Sequence, residues 1–135
     1  MDNNGYHIWE GELTDYWMDN GILYGRSKQN PRTTEKLRND FALVREITKN
    51  KKVCFVLDNT YTKGYDLFSL NYSLKEIPHN YKAIAFVSRS TTGKMVSEIF
   101  SQLYSAETLP VMVFDNHDSA TEWIRQFKEG SGYSF

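Results

Sequence analysis

The sequence predicts an α/β sandwich with a mainly parallel sheet and an antiparallel hairpin at one edge, in the order β-β-α-β-α-β-α-β-α. Three observations predict it. Val53-Cys54-Phe55-Val56-Leu57, Ala83-Ile84-Ala85-Phe86-Val87 and Val111-Met112-Val113-Phe114 are apolar runs without alternation, as strands covered on both faces are. Segments with apolar residues at spacings of three and four lie before, between and after them, and those between are long enough for crossovers. Asp19-Asn20-Gly21 separates two apolar stretches near the start, and Asn-Gly there signals a tight hairpin because a type I′ turn needs positive φ at both central residues.

The elements follow in order. His7 to Met18 is rich in β-formers and pairs across the turn with Ile22-Leu23-Tyr24. Trp9 and Trp17 read as packing residues, though an edge tryptophan also suits a subunit interface. Gln29-Asn30-Pro31 is a break. Thr33 or Thr34 caps a helix, with Glu35 at its positive end. Its stripe is Leu37, Phe41, Val44 and Ile47 or Thr48. Lys36, Arg38, Arg45 and Lys49 take other faces, and solvation plus matching of the helix dipole explains them. Lys49 to Lys52, with Asn50, closes this helix.

The turn Asp58-Asn59-Thr60 follows the first apolar run. Thr62 caps a helix from about Lys63 to Glu76, with Tyr65, Leu67, Phe68, Tyr72 and Leu74 as its apolar surface, and Ile77-Pro78 ends it. After the second run a helix from about Thr92 to Tyr104 turns Met95, Val96, Ile99, Phe100 and Leu103 inward. Asp115 or Asn116 caps a final helix with the stripe Ala120, Trp123, Ile124 and Phe127. Gly130 to Phe135 has two glycines and no periodicity, so a loose tail is expected.

At 135 residues one domain is expected over 1–135. Net charge near zero implies no bulk polyelectrolyte partner. Charge is uneven: Arg26 to Lys52 holds nine Lys or Arg against three acids, while the first twenty residues hold five acids and neither Lys nor Arg. The single cysteine, Cys54, lies in an apolar run and reads as a buried hydrophobe. Met1 to Gly5 is polar and acidic, unlike a signal peptide, and no apolar run approaches the ~20 residues of a membrane helix. A cytoplasmic location without a transmembrane segment is the expectation.

Ligands of open α/β sheets gather at the carboxyl ends of the strands. Three corners qualify: Asp58 to Gly64, Ser88 to Lys94, and Asp115 to Asp118. The middle one is richest. Ser88, Arg89, Ser90, Thr91 and Thr92 stand where helix N–H groups point outward, with Lys94 in the first turn. These residues are an anion or ligand-binding candidate, and capping explains the same residue types. Gly93-Lys94 is not a phosphate loop, because Ser88 and Met95 occupy the required Gly and Ser/Thr positions. His7, His79 and His117 form no short-spaced metal pair, and no nucleophile elbow is present. No catalytic residue, metal or cofactor is expected.

The stretches Trp17-Met18-Asp19-Asn20-Gly21-Ile22-Leu23-Tyr24, Tyr81-Lys82-Ala83-Ile84-Ala85-Phe86-Val87, Val113-Phe114-Asp115 and Ala120-Thr121-Glu122-Trp123-Ile124 carry a resemblance over nearly the whole chain. The chain resembles the SpoIIAA-like fold of STAS domains, and is similar to small bacterial STAS/SEC14-like proteins. These motifs are patterns of core and turn, specific for fold rather than chemistry. The resemblance implies a non-enzymatic regulatory module that binds a protein partner or a second copy of itself as a homodimer. In STAS antagonists the switch is a serine in an Asp-Ser-Ser-Gly turn after the third strand. The matching stretch from Asp58 to Asp66 has no serine, and Thr60 and Thr62 are the nearest hydroxyls. Asp58, Thr60, Thr62 and Asp66 are therefore candidates for a switch or partner contact, and Arg38 and Arg45 on the basic first helix are a second candidate surface for a partner. The SEC14-like branch implies an alternative, a carrier for an apolar small ligand or lipid with its polar head at Ser88 to Lys94. No nucleic-acid role is expected, since the basic helix has no aromatic platform beside it.

Overall fold

A computed structural model describes residues 5–63, 65–104 and 107–128. Among them is one six-stranded sheet in the order β1-β2-β3-β4-β5-β6. Its strands are β1 (Trp9–Glu10), β2 (Thr14–Asp19), β3 (Ile22–Ser27), β4 (Val53–Asp58), β5 (Tyr81–Val87) and β6 (Val111–Phe114). The helices are α1 (Thr34–Thr48), α2 (Leu67–Asn80), α3 (Thr91–Leu103) and α4 (His117–Ile124), with a 3-10 turn at Arg125–Phe127. The pairs β1–β2 and β2–β3 are antiparallel, and β3 to β6 run parallel. The expected mainly parallel sheet with an antiparallel hairpin is what forms. The tail from Gly130 lies outside the described residues.

Asn20 and Gly21 both take positive φ, 53° and 78°, which folds the β2–β3 turn and pairs Asp19 with Ile22. The stretch 7–18 is not one strand, however. Gly11 and Glu12 break it into β1 and β2, because Gly11 is pressed against Thr14 O and the Asp40 carboxylate, with room for no side chain.

Strands β3 to β6 are neighbours in chain order. Right-handed crossovers between consecutive parallel strands leave every connecting helix on the same side. So α1, α2 and α3 cover one face, over Leu23, Phe55, Ile84 and Phe86. The last helix, α4, covers the other, where Ala120 and Ile124 pack on Ile22, Cys54, Val56, Ala83, Ala85 and Val87. Cys54 is buried, and burial pushes its thiol up to about 11. It is a core residue, as its apolar run implies.

Helix α1 follows its sequence closely. Thr33 caps it by accepting from Lys36 N, Lys49 closes it in the left-handed conformation, and Leu37, Phe41, Val44 and Thr48 are buried. Two other helices depart from expectation. Helix α2 begins at Leu67 under an Asp66 cap, not at Lys63 under Thr62, and it runs through Pro78 to Asn80. Proline there removes the N–H that would bond the Leu74 carbonyl. The Tyr104 hydroxyl donates to that carbonyl at 2.8 Å, so the helix continues without an orphaned acceptor.

The inward faces also differ. Leu67 and Phe68 are 70% and 83% exposed, while Ser69, Ser73 and Ile77 are buried. On α3, Met95 (59%), Leu103 (56%) and Ile99 face out, whereas Gly93, Ser97 and Phe100 face in. Small residues on the inner face let the helix lie close to the sheet.

Candidate functional site

The carboxyl ends of β4, β5 and β6 are laced together by backbone bonds. Asn59 N donates to Val87 O and Ser88 N donates to Phe114 O, both at 3.0 Å. Ser90 caps α3 by accepting from Gly93 N at 3.0 Å. Ser97 Oγ donates to Gly93 O and accepts from Asn59 Nδ2, both at 2.8 Å. Ser88 Oγ and Asn59 Oδ1 are buried here without a hydrogen-bond partner among the described residues.

Asp58 is the electrostatic centre of this edge. Its carboxylate ends β4, buried, and meets Thr60 N at 3.0 Å, His117 Nε2 at 3.1 Å and Arg89 Nη2 at 3.5 Å. Burial alone would raise its pKa. The hydrogen bonds from His117 and Thr60 outweigh burial and hold it down to about 2. Arg89 N also donates to Thr60 Oγ1 at 3.2 Å. One carboxylate thus joins the start of α4 to the loops after β4 and β5.

A folded-state pKa below the unfolded one means the stabilisation is complete above the unfolded pKa. It is lost as pH falls from about 4 through about 2. Asp58→Asn is expected to cost about 1–2 kcal/mol at neutral pH, the lower part reflecting solvent screening of the half-exposed Arg89 and His117 side chains. Urea melts at pH 7 and pH 3 test this. The variant's deficit should shrink at the lower pH, and a pH-independent deficit would refute it.

Beside this junction lies an open depression of about 310 Å³ lined by Gln29, Thr60, Tyr61, Thr62, Lys63 and Ser90 to Thr92. The fold therefore gathers Asp58, Thr60, Thr62, Ser88, Arg89, Ser90, Thr91, Thr92 and Lys94 at one edge. The two cations of the Ser88 to Lys94 corner are already engaged: Arg89 holds Asp58, and Lys94 lies 3.6 Å from Asp115. Thr62 Oγ1 is buried and accepts from Arg32 Nε at 3.1 Å. Asp66 spends its carboxylate on the α2 cap, accepting from Ser69 N at 2.8 Å.

Arg38 and Arg45 are elsewhere. Both lean on α2, Arg38 while still exposed to solvent and Arg45 half-buried. The Arg38 guanidinium sits 5.7 Å from the Tyr72 ring centre, and Arg45 Nη1 lies 3.6 Å from Glu76. Arg45 also donates to Asn80 at 3.5 Å. They form a seam between α1 and α2.

Three residues take part in ways that sequence reasoning misses. His117 has the look of a helix start, and it is one, yet its ring reaches Asp58 across 59 positions. Asp40 lies buried in the apolar stripe of α1 and accepts from Glu12 N, Leu13 N and the Tyr16 hydroxyl. A lone charge inside an apolar stripe is a signal that could have found it. Arg32 is buried just ahead of the α1 cap, with no periodicity to mark it. Among the described residues no three His, Cys, Asp or Glu side chains gather as metal ligands would, and no helix is long and apolar enough to cross a membrane.

Comparison with solved structures finds an uncharacterized protein of the DUF3478 family with a SpoIIAA-like fold from Shewanella loihica PV-4. The match has a TM-score of 0.61 at 14% identity and covers 92% of this chain and 98% of that one. At that identity the likeness establishes the SpoIIAA-like fold alone. No curated protein matches the chain. A family model described as a domain of unknown function, DUF7793, matches residues 16–128, from the second strand to the end of the described chain, and the chain belongs to that family.

Proposed function

We propose that this domain is a non-enzymatic interaction module of the STAS-like type that pairs with a second copy of itself. The observation that carries the reading is the outward turn of Leu67 and Phe68 on α2 and of Met95, Ile99 and Leu103 on α3. Exposing large side chains along two helices of one layer forgoes burial worth roughly 1.5–3 kcal/mol each, and contact with another protein recovers it. The exposed charges around them are of both signs, Lys63 and Lys94 against Asp66 and Glu98. Such a mixed rim suits an isologous pairing, in which one patch meets its own copy. A polar-head carrier at Ser88 to Lys94 is less well supported, since both its cations have carboxylate partners.

Sedimentation equilibrium tests the reading. The wild-type chain is expected to dimerise at micromolar concentration. Phe68→Asp with Met95→Asp, at the more exposed positions, should weaken the dimer at least ~100-fold while changing folding stability by no more than ~0.5 kcal/mol. A wild-type monomer, or an unchanged dimer in the variant, removes this surface from the account.

A further inference from the structure

Between the sheet and the α1–α3 layer lies a cavity of about 60 Å³, walled largely by apolar residues such as Phe41, Phe55, Phe86 and Phe100. Two polar groups in its wall are incompletely satisfied among the described residues. One is Arg32, which is 7% exposed. Its Nε donates to Thr62 Oγ1 and its Nη2 to Ser27 Oγ, both neutral hydroxyls, and the group sits 5.5 Å from the Tyr65 ring centre. No carboxylate lies within 4 Å of it among the described residues. The other is Ser73, 1% exposed, whose Oγ has no hydrogen-bond partner there.

Burying a guanidinium without a counter-ion is costly, and so is burying a hydroxyl without a partner. Asp40 shares the cavity wall but does not neutralise Arg32 by contact. Both its oxygens are already taken by the Glu12 and Leu13 amides and the Tyr16 hydroxyl. A guanidinium has five N–H groups, and the two hydroxyls use one on Nε and one on Nη2. The Nη1 end remains for a planar oxyanion, which guanidinium binds through two parallel bonds.

We propose that this cavity binds a small monocarboxylate. Its carboxylate pairs with the Nη end of Arg32 and accepts from the Ser73 hydroxyl. Its short apolar body lies against the phenylalanine walls. The size sets the class: sites for drug-sized ligands run from about 300 Å³ upward, so a lipid does not fit and an acid of two or three carbons does. This inference is independent of the pairing surface, which lies on the outward sides of α2 and α3.

The test is titration of the isotopically labelled full chain with sodium propionate, followed by amide and arginine Nε resonances at constant ionic strength. Propionamide and sodium chloride are the controls. Saturable shifts are expected at Arg32, Tyr65, Ser73 and Phe86, with a Kd on the order of 1 mM. Propionamide and chloride should leave them unmoved, and Arg32→Gln should weaken propionate at least ~10-fold. If that variant fails to fold, the contrast between propionate and propionamide on the wild type decides alone. Propionate acting no differently from chloride, or propionamide binding equally well, overturns the proposal and leaves a water-filled space.

Discussion

Replacing Asp40 by alanine is expected to destabilise the domain by about 3 kcal/mol or more, a larger loss than that expected of Asp58→Asn. The side chain is the shared acceptor for Glu12 N at 2.8 Å, Leu13 N at 3.3 Å and the Tyr16 hydroxyl at 3.0 Å. It ties the β1–β2 loop and the sheet edge to α1. Truncation leaves the Leu13 amide and Tyr16 hydroxyl buried without acceptors, at roughly 1–3 kcal/mol each. Asparagine should behave differently. Burial raises the Asp40 pKa, and the hydrogen bonds and the Arg32 charge only partly offset it. A raised folded-state pKa means the folded chain holds this proton more tightly than the unfolded one. Its contribution is therefore full below the unfolded pKa and is lost as pH rises through the folded value. A neutral amide that keeps one acceptor oxygen then costs little at pH 7. Urea melts of both variants decide the matter: a deficit from Asp40→Asn as large as that from Asp40→Ala would show that the charge itself is required.

The second large effect is expected at Gly93. On helix propensity alone Gly93→Ala should stabilise α3 by up to about 1 kcal/mol. The structure predicts the opposite sign. A Cβ at 93 would overlap Ser88 Oγ and lie 2.6 Å from the backbone oxygen of Asn59. That oxygen belongs to a loop held by Asn59 N to Val87 O and by Asn59 Nδ2 to Ser97 Oγ, so it cannot withdraw freely. Overpacking of this kind costs about 1–3 kcal/mol, which exceeds the propensity gain. Adding Ser88→Ala removes one of three close approaches, the third being Ser90 Oγ at 2.9 Å, and should restore part of the loss, a coupling that a double-mutant cycle measures. A stabilised single variant, or no coupling between the two sites, would show that α3 does not seat against the β4–α2 loop in this way.

Much of the fold is legible in the chain because it rests on local chemistry. The Asn20-Gly21 turn and the unalternating strands need nothing beyond their neighbours in sequence to specify them, and the caps at Thr33 and Asn116 are narrowed to two residues each in the same way. Consecutive parallel strands with right-handed crossovers then leave a single arrangement of layers. The inner faces of α2 and α3 are not legible, for a physical reason. Periodicity shows that a helix has an apolar stripe, but not that the stripe faces the sheet. Close approach at Gly93 and Ser97 demands small residues inside, so Met95, Ile99 and Leu103 turn outward, onto the surface we propose for pairing.

The residues from Asp58 to Lys94 at the carboxyl edge can be recognised as neighbours, because strand ends converge in any open α/β sheet. Their roles cannot. Whether Arg89 is free or bound depends on Asp58, and whether Asp58 is bound depends on His117, which lies on another helix. The parallel strands, the hairpin turn, most caps and the order of layers are properties of the chain itself, since they follow from interactions between near neighbours. Which helix faces are buried, which charges are paired and that Arg32 lines a cavity with no carboxylate in contact among the described residues emerge with tertiary packing, because each depends on groups that only folding brings within a few ångströms.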